Sequence, residues 1–213
     1  MRDKAEGLRT IVESRILLVI RQDSADAVLR IIEAVVRGGV KVIEITLTVP
    51  DALSIMQAAA KEFGKDVLIG AGTVLDSETA RASILAGADF IVGPCCSAEV
   101  LATCKRYSKI AVPGAMTPTE ILHAAELGAD IVKVFPIDHL GGPKYLKSIK
   151  GPLPHILLNP SGNINASNAR EYLDAGATVI SVGSAILDTK AISEGRFAVL
   201  TEKAFEFREK QRA

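Results

Sequence analysis

Four segments of this chain repeat one pattern, and that repeat constrains its fold more than any other feature. Gly39-Val40-Lys41-Val42-Ile43-Glu44, Gly87-Ala88-Asp89-Phe90-Ile91-Val92, Gly128-Ala129-Asp130-Ile131-Val132-Lys133 and Gly176-Ala177-Thr178-Val179-Ile180-Ser181 each set a helix-ending glycine before an apolar strand. The intervals are too long for one strand-helix unit and right for two, so a further strand belongs in each. Val67-Leu68-Ile69-Gly70, Ile110-Ala111-Val112-Pro113 and Ile156-Leu157-Leu158 fill those places, and Ile16-Leu17-Leu18-Val19-Ile20 precedes the first repeat. Between them lie apolar residues at helical spacing, for example Ala27-Val28-Ile31-Ile32-Val35. Ser24, Asp51, Ser77, Ser97 and Thr117 offer helix starts, the last followed by Pro118. Eight wholly apolar strands alternating with helices predict an α/β fold with a parallel sheet, closed as a single-domain (β/α)8 TIM barrel over residues 1–213. The length sits at the short end of the roughly 200 to 400 residues usual for that barrel, so decoration is slight.

Composition narrows the partners. The formal net charge is zero and 48% of residues are apolar, which supplies no electrostatic reason for a nucleic-acid or membrane partner. Met1 to Thr10 is charged and lacks a leader-like apolar core, no run approaches the ~20 residues of a membrane span, and the expected location is cytoplasmic. Cys95, Cys96 and Cys104 form neither a disulfide framework nor a ligand spacing and read as reduced thiols. His123, His139 and His155 are not at ligand spacing, so no metal and no cofactor are expected. Glu194 to Ala213 reads as a final amphipathic helix with Phe197, Leu200, Phe205 and Phe207 among its apolar positions.

The repeat also locates chemistry. Side chains alternate across a strand, so equivalent repeat positions point the same way. Glu44, Val92, Lys133 and Ser181 are equivalent, which puts Glu44 and Lys133 in one inward layer. Further along the strands, Thr46, Pro94, Phe135 and Gly183 reach the mouth, where Arg21, Thr73 and Ser161 join them from the intervening strands. Active sites of such barrels lie at that face. Lys133 interrupts the apolar run Ile131 to Phe135, and burial pushes an amine toward the neutral form that attacks a ketone to make a Schiff base. Two structural alternatives remain: a lysine whose stem is buried and whose head reaches water, and a Glu44–Lys133 ion pair. The polar rim of Arg21, Thr46, Thr48, Thr73, Ser161 and Ser184 argues against a closed structural core. Pro160-Ser161-Gly162-Asn163 and Val182-Gly183-Ser184 occupy the loops where such barrels hold phosphate on backbone N–H groups and helix N-termini, although Ser-Gly-Asn alone is also an ordinary turn.

These residues resemble a family. Glu44-Ile45-Thr46, Gly70-Ala71-Gly72-Thr73-Val74, Pro113-Gly114 with Thr117-Pro118-Thr119-Glu120, Lys133-Val134-Phe135-Pro136 and Gly183-Ser184 are similar, in order from about Ile16 to Leu187, to the 2-keto-3-deoxy-6-phosphogluconate (KDPG) and 4-hydroxy-2-oxoglutarate (KHG) aldolases. The resemblance implies a metal-independent class I aldolase and a carbon-carbon lyase, usually a homotrimer, acting on a small 2-keto acid in carbohydrate metabolism of the Entner-Doudoroff type. It carries the Schiff-base lysine onto Lys133 and the general acid/base onto Glu44. Thr73 and Pro94 would line the pyruvate half, Phe135 would pack beside the imine, and Ser161, Gly162, Gly183 and Ser184 would meet the phosphate. The expected reaction is cleavage of KDPG to pyruvate and glyceraldehyde 3-phosphate, with KHG or a related 2-keto-3-deoxy sugar acid as the alternative substrate.

The chain departs from the family at two places. Many members bind the pyruvate carboxylate with an Arg where Thr48 stands here, and others share its Thr-Val-Pro; the task then passes to Arg21 and the Thr73 region. The usual Thr-Gly-Gly phosphate loop reads Ser161-Gly162-Asn163. Two rivals stay open: a phosphosugar isomerase or synthase using Glu44 as base and Lys133 only electrostatically, and a non-catalytic metabolite-binding or scaffold barrel. Neither requires a covalent amine.

Overall fold

In the computed structural model, which describes residues 3–212, strands and helices alternate as the repeat requires. In chain order the elements are α1 (Lys4–Ser14), β1 (Ile16–Ile20), α2 (Ala25–Arg37), β2 (Val42–Thr46), α3 (Ala52–Phe63), β3 (Leu68–Gly72), α4 (Ser77–Leu85), β4 (Phe90–Val92), α5 (Ala98–Arg106), β5 (Ile110–Val112), β6 (Gly114–Ala115), α6 (Pro118–Glu126), β7 (Val132–Val134), α7 (Pro143–Lys150), β8 (Leu158–Pro160), α8 (Ala169–Asp174), β9 (Ile180–Val182), α9 (Thr189–Ser193) and α10 (Ala198–Arg212). Gly39, Gly87, Gly128 and Gly176 all adopt positive φ, between 86° and 106°. After each, the next N–H reaches back to the last helical turn, as Val40 does to the Val35 carbonyl at 3.0 Å. That left-handed closure is the reason the repeat carries glycine. Thr117 forms a full capping box with Glu120, whereas Asp76 rather than Ser77 caps α4.

The parallel α/β architecture is as expected, but its hydrogen bonding is not one closed ring of eight strands. Among the described residues, nine strands form two parallel sheets, ordered β5-β4-β3-β2-β1-β9 and β6-β7-β8, curled into a partial barrel. One break falls at Pro113, which has no N–H for the ladder and splits β5 from β6. The other lies between β8 and β9, where a single bridge joins Ser161 to Ser181. There the Leu158 N–H donates to the Thr178 hydroxyl at 3.3 Å, the Thr178 N–H donates to the Leu158 carbonyl at 2.9 Å, and Pro160 has no N–H for the ladder. Strand β8 also starts later than Ile156, because Lys150 Nζ holds the carbonyls of Pro154 and Ile156 at 2.8 and 2.9 Å.

Two apolar layers result. Helices pack onto the outer strand faces through residues such as Ile31, Val35, Ile43, Met56 and Ile69. Inside, Leu17, Val42, Leu68, Phe90, Val92, Ile110, Val112, Ile131 and Val179 fill the N-terminal half. Helix α1, which the repeat does not announce, closes that end with Ile11, and its Gly7 lies against Ile110 and Leu68. The interior is therefore solid at one end and polar at the other. In α10, Phe207 is buried but Phe205 faces outward, against the sequence expectation. Among the described residues no helix is long and apolar enough to cross a membrane.

Candidate active site

The inward faces of the strands turn polar toward their C-terminal ends. β2 delivers Glu44, β7 Lys133, β8 Asn159, and β9 Ser181, all buried. Lys133 Nζ lies 3.9 Å from Glu44 Oε1, longer than a hydrogen bond, and 5.4 Å from the Phe135 ring centre. Glu44 is 1% exposed, and its carboxylate rests against the Cα of Gly72, where any side chain would collide with it. Burial raises the Glu44 pKa above the usual carboxylate value, opposed in part by the positive charges of Lys133 and Arg21. A carboxyl poised this way both accepts and returns protons nearer neutrality than an exposed glutamate does.

Above the amine opens a cavity of about 380 Å³. Its walls include Arg21, Thr73, Pro94, Lys133, Phe135, Ser161, Gly162, Gly183 and Ser184, so the structure brings nine of the expected residues together. Arg21 donates to the Thr73 hydroxyl at 3.4 Å, and Thr73 has φ of 60°. Glu44 lies beneath the amine rather than on the wall. Thr48 is not among the wall residues; it is exposed, and its hydroxyl sits 2.9 Å from that of Thr46, which bonds the Ile20 carbonyl.

The two loops over this cavity present unspent donors. Among the described residues, the N–H groups of Gly162, Asn163, Gly183 and Ser184 make no main-chain hydrogen bond. Gly162 has φ of 131° and Asn163 of 46°. Asparagine is among the residues that tolerate the left-handed region best, which accounts for its presence at this turn. Helix N-termini contribute less than expected, because α8 begins only at Ala169 and α9 at Thr189.

Sequence reasoning passed over Asn159, Gly72, Ser181 as a wall residue, and Ile164. Asn159 carried one readable signal: it is a polar residue two places before Ser161, on the same strand parity, in an apolar run. Of the cysteines, Cys104 is buried, and burial pushes its thiol up to about 11, as befits packing; Cys95 is instead exposed beside Pro94. No group of three or more His, Cys, Asp or Glu able to hold a metal exists among the described residues.

Comparison with known proteins points to one family. The family described as KDPG and KHG aldolase matches residues 8–202. The chain is 36% identical over 180 residues to a 2-dehydro-3-deoxy-phosphogluconate aldolase of Pseudomonas aeruginosa, covering 84% of this chain and 81% of that protein. It is 31% identical to the one from Treponema pallidum, covering 88% and 89%. Among solved structures, KDPG aldolase of Legionella pneumophila, with pyruvate captured as a covalent carbinolamine intermediate, superposes with a TM-score of 0.86 at 30% identity, covering 93% of this chain and 96% of that one. The motifs, the amine-carboxyl pair and these likenesses converge: the chain belongs to the KDPG and KHG aldolase family.

Proposed function

We propose that this protein is a class I aldolase that cleaves KDPG to pyruvate and glyceraldehyde 3-phosphate. The observation that carries the reading is the Lys133 amine at the floor of an open cavity, with one buried carboxyl 3.9 Å away. The free amine attacks the C2 ketone, forming a carbinolamine. Glu44, through a water or the hydroxyl itself, supplies the proton that lets the C2 oxygen leave as water, giving an iminium. The base then takes the proton of the C4 hydroxyl, the C3–C4 bond breaks, and its electron pair flows into the iminium to leave an enamine and a free aldehyde. Protonation at C3 and hydrolysis release pyruvate and regenerate Lys133.

In this reading Thr73, Pro94 and Arg21 hold the pyruvate half, with Arg21 supplying the carboxylate partner that Thr48 does not, and Phe135 packs beside the imine. The unspent N–H groups of Gly162, Gly183 and Ser184, with the Ser161 hydroxyl, receive the phosphate. Asn163, which lines the cavity from the loop after β8, favours a second reading in which KHG, with a carboxylate tail, is also accepted. The two sheets act as arcs of one (β/α)8 barrel closed across Pro113 and the Ser161–Ser181 bridge, and residues 1–213 form one domain. A homotrimer is supported by large apolar side chains left exposed from just after β3 to the C-terminal end of α6, namely Leu75, Leu85, Met116, Leu122 and Leu127. We place the enzyme in the cytoplasm, in an Entner-Doudoroff type of sugar-acid breakdown.

The decisive experiment is borohydride reduction in the presence of pyruvate, followed by intact mass and peptide mapping. Reduced pyruvate is expected on Lys133 and on no other lysine. Unmodified protein would overturn the class I mechanism. Light scattering giving a mass other than three times 22.5 kDa would overturn the trimer.

A further inference from the structure

Ile164 lines the cavity and is only 4% exposed, yet its N–H has no hydrogen-bond partner among the described residues. Buried main-chain donors are seldom left so. The direction of this one is set by its own peptide. The Asn163 carbonyl accepts from Asn168 Nδ2 at 3.1 Å, and the Asn163–Ile164 bond is trans, since the one cis bond among the described residues is Phe135–Pro136. In a trans peptide the N–H points opposite to the carbonyl. Asn168 stands at the start of α8 and is not a wall residue, so a carbonyl held toward it turns the Ile164 N–H the other way, toward the cavity.

Asn168 spends its whole side chain on this loop. Asparagine ahead of a helix usually caps it, but here no side-chain cap bond forms. Instead Oδ1 accepts the Asn165 N–H at 2.8 Å while Nδ2 holds Asn163. Asn165 Oδ1 takes the Ser167 N–H at 2.9 Å and its hydroxyl at 2.6 Å, which fixes the segment between the clamped residues. The consecutive N–H groups of Gly162, Asn163 and Ile164 are thereby left without main-chain partners on one turn. Successive free N–H groups in a turn make a concave nest for an anion.

Resting on the phosphate reading above, we propose that the Ile164 N–H is a further donor to the terminal phosphate and that Asn168 is the positioning residue that aims it. Asn168 itself touches no substrate. Without the Nδ2 contact the Asn163–Ile164 peptide is free to turn over, which puts a carbonyl, repelled by phosphate, where the N–H stood.

Two substrates separate this role from a structural one: KDPG, and the same sugar acid without its phosphate. In Asn168→Ala, kcat/KM for KDPG is expected to fall about 10-fold, chiefly through KM, the low end for a lost hydrogen bond to a charged group. The unphosphorylated substrate should lose no more than about twofold, and exchange of pyruvate methyl protons in D2O should keep its parental rate. An equal fall for both substrates, or an unchanged ratio between them, would overturn the assignment. Should Asn168→Ala not fold, the α-hydroxy analogue of isoleucine placed at position 164 decides, because the resulting ester lacks the N–H. A ratio lowered several-fold then supports the donor, and a parental ratio overturns it. The phosphate reading fails separately: a parent that cleaves both substrates with equal kcat/KM overturns that reading, and this inference with it.

Discussion

Gly72→Ala is the smallest change that should silence the site without touching a reacting atom. Gly72 lies on β3 in register with Thr46, directly beside the Glu44 carboxylate. A Cβ there would stand 2.0 Å from Glu44 Oε1, 2.5 Å from Cδ and 2.6 Å from Cγ, where ordinary contact begins at 3.4 Å. The carboxylate must retreat by about 1 Å or more, and a misplacement of that size costs on the order of 10²-fold in rate. That corresponds to about 2.7 kcal/mol of activation free energy. Because Glu44 is only 1% exposed, the head group has no solvent to move into, and overpacking should also cost about 1–3 kcal/mol of stability. Turnover is measured by coupling pyruvate release to a dehydrogenase, alongside borohydride trapping and thermal unfolding. The expected pattern is kcat reduced about 10²-fold while pyruvate still adds to Lys133. A folded Gly72→Ala protein with kcat within about threefold of the parent would show that the position of this carboxyl does not govern the chemistry.

Glu44→Gln should lower turnover by roughly 10²- to 10⁴-fold while leaving the imine-forming lysine in place, and near-parental turnover would return Glu44 to a structural ion pair. The same variant carries a pH signature. Burial raises the Glu44 pKa, so its contribution to stability is full below the unfolded carboxylate value and is lost as pH rises through the folded one; glutamine has no such loss. The Tm of Glu44→Gln relative to the parent should thus climb between pH 4 and pH 8, and a constant difference would contradict the assigned shift. Asn163→Gly should widen the preference for phosphorylated substrate over KHG, read as the ratio of kcat/KM values; a parent that prefers KHG and does not respond would remove phosphate from the nest. EDTA should leave activity intact, since the described residues hold no ligand cluster, and a loss restored by a divalent ion would contradict this.

Much of the scaffold and the juxtaposition of Glu44 and Lys133 could be read from the chain because both follow from local periodicity. A glycine that ends a helix in the left-handed region and an apolar strand after it are local events, and repeating them imposes parallel strands with helices outside. Strand parity then sends Glu44 and Lys133 to the same side, which requires only counting. Three things lay beyond that reach. The ladder broke at Pro113 and again between β8 and β9, where the Leu158 N–H goes to the Thr178 hydroxyl, a partner that only folding brings near it. The space for the Glu44 carboxylate belongs to Gly72 on the neighbouring strand, whose role is invisible until register places it against Glu44. Asn159 and Ser181 became partners only when two strands distant in sequence met. Parity is a property of one strand, and so it is written in sequence; register, close approach and the pairing of buried polar atoms are properties of two strands, and tertiary structure alone decides them.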